Sequence, residues 1–249
     1  MQNRVTDSII VIVTFLIAFY GKRLLNILLP PALQDFTWYL WWGISAVGVL
    51  GVLFGFKEVF KNLGLNKGFL TGLIFGFVTV SPMLISSAIA GDIDKDLSIG
   101  SLIHTTLVAG FMEEFLFRGF LFGILFRRLD WGFIPASILG GLIFGMGHLY
   151  QGSTIAETIG VFLVTSAGAV WFSWLYAEWD NLWIPVFLHI LMNLSWILFD
   201  VSSNALGGSY TNLFRVITIA LTILITIRRH KKSGMRITKQ NLLINKMSV

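Results

Sequence analysis

Only 12% of the 249 residues are charged, whereas 55% are hydrophobic, and the mean hydropathy is +0.79. This composition excludes a soluble globular domain, in which about a quarter of the residues are charged, and it predicts an all-α, polytopic transmembrane helix bundle. The net charge of +5 arises from basic residues at the ends of apolar runs and in the tail, so we expect no nucleic-acid partner. The absence of cysteine excludes disulfides and a cysteine nucleophile.

About eight apolar runs along the chain are long enough to cross a bilayer as helices. In chain order they cover residues 8–20, 36–56, 69–90, 102–126, 131–150, 155–176, 182–199 and 213–227. The first is interpreted as a retained helix, because no small-residue cleavage pattern of a signal peptide follows it. Residues 24–29 either extend this helix or form an interfacial segment behind it, and Pro30-Pro31 is predicted to end it.

The charged residues between the apolar runs predict how the chain is oriented. With an even number of spans, the basic connector 57–67, the Arg127-Arg128 pair and the basic tail share one side, and the acidic loop 91–96 lies on the other. The positive-inside rule then places both termini in the cytoplasm. We divide the chain into the first three spans (residues 1–98), spans four to seven (99–199), and the last span with a cytoplasmic tail (200–249).

Span four carries three charges, two adjacent glutamates and an arginine, inside an otherwise apolar run. Each ionised side chain near a bilayer centre costs about 2.5–3.5 kcal/mol, so these charges must be paired, face a wet cavity or perform chemistry. In a helix Glu114 and Arg118 share one face, which allows the arginine to hold that carboxylate ionised. Glu113 lies about 100° round the helix and is predicted to point elsewhere, free to act.

Two further spans carry polar side chains that complement these carboxylates. His148 lies on span five beside two glycines, and His189 and Asn193 are four residues apart on one face of span seven. A glutamate and a histidine together can activate a water, either by general-base catalysis or as metal ligands. A second histidine and an asparagine can donate hydrogen bonds to a developing oxyanion. Peptide hydrolysis requires both functions.

Structural interpretations of the same residues stay open at this point. The glutamates and the arginine could form a buried ion pair or a proton relay in a transporter, and Asn193 could simply join two helices. The transporter interpretation is weakened because the chain lacks internal repeats and broken spans in matching halves. His104 and His230 are interpreted as ordinary polar residues outside any site.

The polar clusters resemble, in order, the three motifs of the CPBP intramembrane protease family, which contains CAAX proteases and bacteriocin-processing enzymes and is also called the Abi family. The resemblance covers about residues 99–197. The matching positions are Glu113-Glu114-x-x-x-Arg118, Phe144-x-x-x-His148 and His189-x-x-x-Asn193. Three ordered motifs on three apolar spans make a specific signal, whereas a double glutamate with an arginine would be a modest one.

The resemblance implies an intramembrane endopeptidase similar to the enzyme that removes the last three residues of prenylated CAAX proteins. Its substrate would be a membrane peptide or a lipidated protein, and its location the plasma membrane of a bacterium. The resemblance assigns the motif residues to three tasks: water activation by Glu113 and His148, oxyanion stabilisation by His189 and Asn193, and support of the glutamate by Glu114 and Arg118. A second hypothesis is a non-enzymatic bacteriocin self-immunity or membrane scaffold protein with the same fold.

The family is classed as metalloproteases, so the resemblance implies zinc as a candidate cofactor, held by Glu113, His148 and His189 with water as the fourth ligand. A glutamate-activated water without a metal uses the same side chains, and both mechanisms stay open. If span five begins at Trp131, His148 lies about 25 Å into it, deeper than Glu113. A shared site therefore requires tilt, staggered spans, or a later start of span five.

Overall fold

A computed structural model describes residues 3–21, 27, 30–202, 204–231 and 233–245. These residues form helices and their connectors, with no β-strand beyond an isolated bridge between Trp131 and Ile244, which confirms the all-α prediction. We number the principal helices α1 (Arg4–Tyr20), α2 (Pro31–Phe54), α3 (Phe69–Ala90), α4 (residues 99–128), α5 (Phe133–Gly147), α6 (Ile155–Trp179), α7 (Trp183–Ile197) and α8 (Ser209–His230).

Five of the described helical segments are long and apolar enough to cross a membrane. They are Thr37–Phe54, Phe69–Ala90, Phe133–Gln151, Ile155–Trp179 and Ser209–His230. Helices α1 and α7 have only 17 and 15 residues, and α4 is divided by changes in its winding. The protein is therefore a multi-pass membrane protein, whereas the predicted count of about eight spans is not confirmed.

The start of α2 differs from the prediction. Pro31 was expected to end the first helix, yet it opens α2, five residues before the predicted start at Phe36. A proline suits the first position of a helix because its missing N–H would have no partner there. Helix α1 ends at Tyr20, directly before Gly21, and the predicted extension at 24–29 lies, except for residue 27, outside the described residues.

Helix α4 is longer than predicted and is not uniformly α-helical. Two π-helical segments, His104–Val108 and Phe115–Phe122, flank the short α-helical segment Ala109–Glu114. Runs of π-helix are rare and frequently occur at functional sites. The paired glutamates therefore end the α-helical segment, immediately before the backbone widens.

Glycines bring α3, α4 and α7 into close contact. A Cβ atom at Gly72 of α3 would lie 2.5 Å from the backbone of Trp183, and one at Gly110 of α4 would lie 2.9 Å from Ile190. Helix α7 consequently lies against both α3 and α4, with close backbone approach on each side. This packing fixes the position of His189 along the axis of α4, and therefore its distance from the glutamates.

One end of the bundle, which we call the basic end, gathers cations around Asp180. The Asp180 carboxylate lies 3.0 Å from Lys67 Nζ, 2.8 Å from Arg127 Nη2 and 3.6 Å from Arg236 Nη1. Burial raises the pKa of Asp180, but Arg127, Lys67 and Arg236 together outweigh burial and hold the pKa below its usual value. The cluster therefore stays ionised at neutral pH, and its contribution to stability is lost only in strongly acidic medium.

The segment 233–245, which we call the tail strap, folds back across the basic end. The Glu178 carboxylate accepts hydrogen bonds from the backbone N–H groups of Arg236 and Ile237 at 2.8 and 3.0 Å. The N–H groups of Phe133 and Ile134 donate to carbonyl oxygens of the strap at 2.8 and 2.9 Å. Because α5 has no side-chain cap, the strap supplies partners for its first amide groups.

The strap also reaches α4. The Asn245 side chain donates to the carbonyl oxygen of Phe126 at 2.6 Å. The same strap thus joins the ends of α4, α5 and α6. Sequence analysis treated this segment only as a basic tail.

Replacing Glu178 by Gln should release the strap, because the amide removes the charge and one of the two acceptors of a fully buried carboxylate. We expect a loss of about 1–3 kcal/mol in the free energy of unfolding, together with faster tryptic cleavage after Arg236. Thermal unfolding in detergent and limited proteolysis measure the two effects. Glu58→Gln, the same change at an exposed i,i+3 pair with Lys61, serves as the control and should change neither. Equal protease resistance of both variants would contradict the anchoring role of Glu178.

Candidate active site

Both glutamates of α4 face the same imidazole. The Nδ1 atom of His189 lies 2.8 Å from Glu114 Oε1, and its Nε2 atom lies 3.9 Å from Glu113 Oε2. Glu113 was predicted to point away from its neighbour, but the ring of His189 lies across both carboxylates. One histidine therefore links a fully buried carboxylate to one that is 23% exposed.

The proton positions on His189 follow from its partners. Glu114 also forms an ion pair with Arg118, so its carboxylate only accepts hydrogen bonds, and the Nδ1–H group of His189 is the donor. The 3.9 Å between Nε2 and Glu113 is too long for a direct hydrogen bond. It is short enough for one water molecule to contact both atoms.

Arg118 is buried with its charge compensated on several sides. Its Nη1 atom lies 3.0 Å from Glu114 Oε1, and the two side chains are 2% and 0% exposed. Its guanidinium carbon lies 4.7 Å from the ring centre of Phe144 and 5.3 Å from that of Phe172. The pair that the spacing predicts is thus in contact, although the backbone between the two residues is π-helical.

His148 lies directly after α5 rather than within it. Its Nδ1 atom is 2.8 Å from the carbonyl oxygen of Phe144, so Nδ1–H is the donor and Nε2 is the ring nitrogen on the other side. The rings of Phe144 and Phe117 meet edge to face at 5.0 Å. Since α4 and α5 run in opposite directions, His148 one turn beyond Phe144 and Glu113 one turn before Phe117 lie at comparable depth.

This placement removes the depth conflict in the sequence analysis. Helix α5 begins at Phe133, later than the predicted Trp131, and His148 follows its last residue. Asn193 also faces α4, because its Nδ2 atom donates to the carbonyl oxygen of Thr105 at 3.2 Å. His189 and Asn193 therefore both contact α4. The Asn193 amide has a second hydrogen that can bond to another acceptor.

The predicted zinc ligands do not form one group. Nowhere in the described parts of the chain do three His, Asp or Glu side chains come together as a metal-binding set. The Oε2 atom of Glu114 is buried without a hydrogen-bond partner, but the positive charge of Arg118 disfavours a second cation there. The residues as placed do not fit the metal, and the use of zinc stays a prediction.

Phe172 of α6 was not singled out in the sequence. Its ring contacts both Arg118 and, at 5.7 Å between ring centres, His189. A phenylalanine in an apolar span gives no chemical signal, so only the packing of α6 reveals it. The roles assigned to the six motif residues remain predictions. The fold brings Glu113, Glu114, Arg118 and His189 together, and Asn193 faces the same helix.

Comparison with known proteins supports the resemblance. Residues 95–195 match the family model described as type II CAAX prenyl endopeptidase, Rce1-like, and all motif positions lie inside this match. "Putative membrane peptidase YdiL" of Bacillus subtilis (strain 168) is 32% identical over 92 residues, which cover 37% of this chain and 34% of the relative. "UPF0177 protein YvdC" of Lactococcus lactis subsp. lactis (strain IL1403) is 26% identical over 146 residues, 58% and 50% of the two chains.

The matches thus span about a third and a half of the length of these two relatives. No solved structure matches the chain significantly. The family resemblance deduced from the three motifs is confirmed.

Proposed function

We propose that this multi-pass membrane protein, in which residues 95–195 match the Rce1-like family, is an intramembrane endopeptidase. The observation that carries the proposal is the imidazole of His189 lying between the buried Glu114 and the more exposed Glu113. A buried ion pair for structure alone would need only Glu114 and Arg118. The additional carboxylate, with His148 at a similar depth, supplies a base beside a polarised imidazole.

In the proposed reaction, Glu113 takes a proton from a water molecule, and the resulting hydroxide oxygen attacks the carbonyl carbon of the scissile peptide bond. The Nε2 atom of His148 helps to orient the water. When the carbon–nitrogen bond breaks, Glu113 returns the proton to the leaving amine. The peptide bond is thereby hydrolysed with no net change in the enzyme.

In this proposal, two side chains of α7 stabilise the oxyanion. Asn193 donates its second amide hydrogen, and His189 donates from Nε2 when that atom carries a proton, while Nδ1–H remains bonded to Glu114. Arg118 offsets the charge of Glu114, so that the carboxylate can hold the imidazole without repelling the oxyanion strongly. A metal would supply a polarised water instead, and a strong chelator distinguishes the two mechanisms.

The proposed substrate is a peptide held at the membrane by a lipid group or by its own apolar segment. The prenyl endopeptidase description belongs to the family model, and a membrane peptidase is named among the relatives. A site within apolar helices favours a substrate that partitions into the bilayer. We further propose that the basic end faces the cytoplasm of a bacterial cell.

The test measures cleavage of a panel of membrane-tethered and prenylated peptides by the protein in proteoliposomes, with mass spectrometry to locate the cut. We expect cleavage by the wild-type chain that survives a strong chelator, and a loss of about 100-fold or more in His148→Gln. His230→Gln, the same change at the basic end, should retain activity. An inert wild-type chain that still protects cells against a bacteriocin would overturn the proposal in favour of an immunity protein.

A further inference from the structure

Phe172 is the residue through which α6 contacts the candidate site. Helix α6 carries none of the motif residues, and the ring of Phe172 is 7% exposed. Its centre lies 5.3 Å from the guanidinium carbon of Arg118 and 5.7 Å from the ring centre of His189. A single apolar side chain thus touches both partners of Glu114.

The contact with His189 restricts the rotation of the imidazole. The two rings meet at an interplanar angle of 73°, the edge-to-face geometry that aromatic pairs favour. Rotation of the imidazole about its bond to Cβ would move Nδ1 away from Glu114 and Nε2 away from Glu113. The ring of Phe172 opposes this rotation because it occupies one side of the imidazole.

The contact with Arg118 restricts the cation in the same way. The guanidinium lies against the rings of Phe144 and Phe172, and both contacts are desolvated, where the attraction between a cation and an aromatic face is strongest. Phe144 belongs to the motif that the family resemblance already names. Phe172 completes the aromatic surroundings of the cation from a different helix.

Phe172 is itself held firmly in place. It belongs to a buried apolar cluster with Phe75, Leu175 and Leu188, which joins α3, α6 and α7. Helix α6 also lies against α5, since a Cβ atom at Gly145 would meet Phe162 of α6 at 3.0 Å. The packing of α3, α6 and α7 therefore holds the Phe172 ring against the imidazole.

We propose that Phe172 is a positioning residue for hydrolysis, which sets the orientation of the His189 imidazole between the two carboxylates. The proposal rests on the proposed peptidase function for its kinetic consequence, but its structural consequence is independent of activity. Loss of the ring allows the imidazole to turn away from Glu113. Misplacement of a reacting group by about 1 Å can cost roughly 100-fold in rate.

The test compares Phe172→Leu, which removes the ring, with Phe172→Tyr, which keeps it. Phe75→Leu is the matched control, because Phe75 is a buried ring of the same cluster that contacts Trp179 instead of the site. We expect Phe172→Leu to lower kcat by roughly 10- to 100-fold with KM within about twofold, and Phe172→Tyr to restore kcat. Phe75→Leu should lose comparable thermal stability with kcat unchanged.

A second readout uses the protein labelled with ¹⁵N-histidine, whose four imidazoles are assigned by single His→Gln variants. The Nδ1–H signal of His189 should shift in Phe172→Leu and not in Phe75→Leu. A wild-type chain without peptidase activity but with this shift would reject the proposed function and keep the positioning role. An active wild-type chain whose Phe172→Leu variant shows unchanged kcat and an unchanged His189 signal would overturn the positioning role alone.

Discussion

Glu113→Gln should abolish peptide hydrolysis while leaving the fold intact. The amide has nearly the same shape as the carboxylate, but it cannot take a proton from water. Glu113 is partly exposed, and its approach to His189 at 3.9 Å is too long to be an essential structural contact. We expect the free energy of unfolding to change by less than about 0.5 kcal/mol.

The expected loss in kcat is about 10⁴-fold, at the upper limit for removal of a general base, because the same group serves both proton transfers. Single-turnover cleavage of the preferred peptide in proteoliposomes measures it. Glu58→Gln makes the same chemical change at an exposed position near the basic end and should leave kcat unchanged. Retention of even a tenth of the wild-type rate in Glu113→Gln would assign the base to another residue.

Arg118→Met should destabilise the protein by about 3–5 kcal/mol, because it leaves the Glu114 carboxylate charged and buried without its cation. Methionine fills much of the volume of the arginine stem, so the loss is electrostatic rather than a packing defect. Unfolding in a denaturing detergent series measures the free energy. Peptide hydrolysis should be lost as well, since an uncompensated Glu114 no longer holds His189 in a fixed orientation.

The double variant Arg118→Met/Glu114→Gln tests whether the uncompensated charge of Glu114 causes this loss of stability. It removes both charges, so we expect it to recover most of the stability while remaining inactive. Arg229→Met provides the control, because this exposed arginine stacks on Trp179 and should contribute no more than about 1 kcal/mol. A stable Arg118→Met single variant would show that Glu114 does not carry a charge in the folded protein.

Much of the fold follows from the sequence because apolar runs and their glycine boundaries are local signals. Helix α3 has the predicted limits, Phe69 and Ala90, between Gly68 and Gly91. The motif glutamates and histidines were also identifiable, because ionisable side chains in apolar spans cost free energy and therefore indicate a function. These signals locate the residues along the chain, but they do not give the contacts between helices.

The features that sequence analysis missed depend on tertiary packing. The π-helical winding of α4 has no periodic signature over eight residues, and the ring of His189 crosses both carboxylates only because glycines let α7 approach α4 closely. Pro31 could equally end one helix or begin the next. The tail strap is held by backbone hydrogen bonds and by the side chains of Glu178, Asn241 and Asn245, which no apolar pattern reveals.

The tail strap also determines the order in which the protein can be completed during synthesis. The amide groups of Phe133 and Ile134 bond to carbonyl oxygens of residues 241 and 242, more than 100 positions later in the chain. At about 5–20 residues per second, a ribosome needs roughly 5–20 s to make the intervening segment. The first amide groups of α5, the helix that His148 directly follows, therefore lack these partners until the tail strap behind α8 has been made.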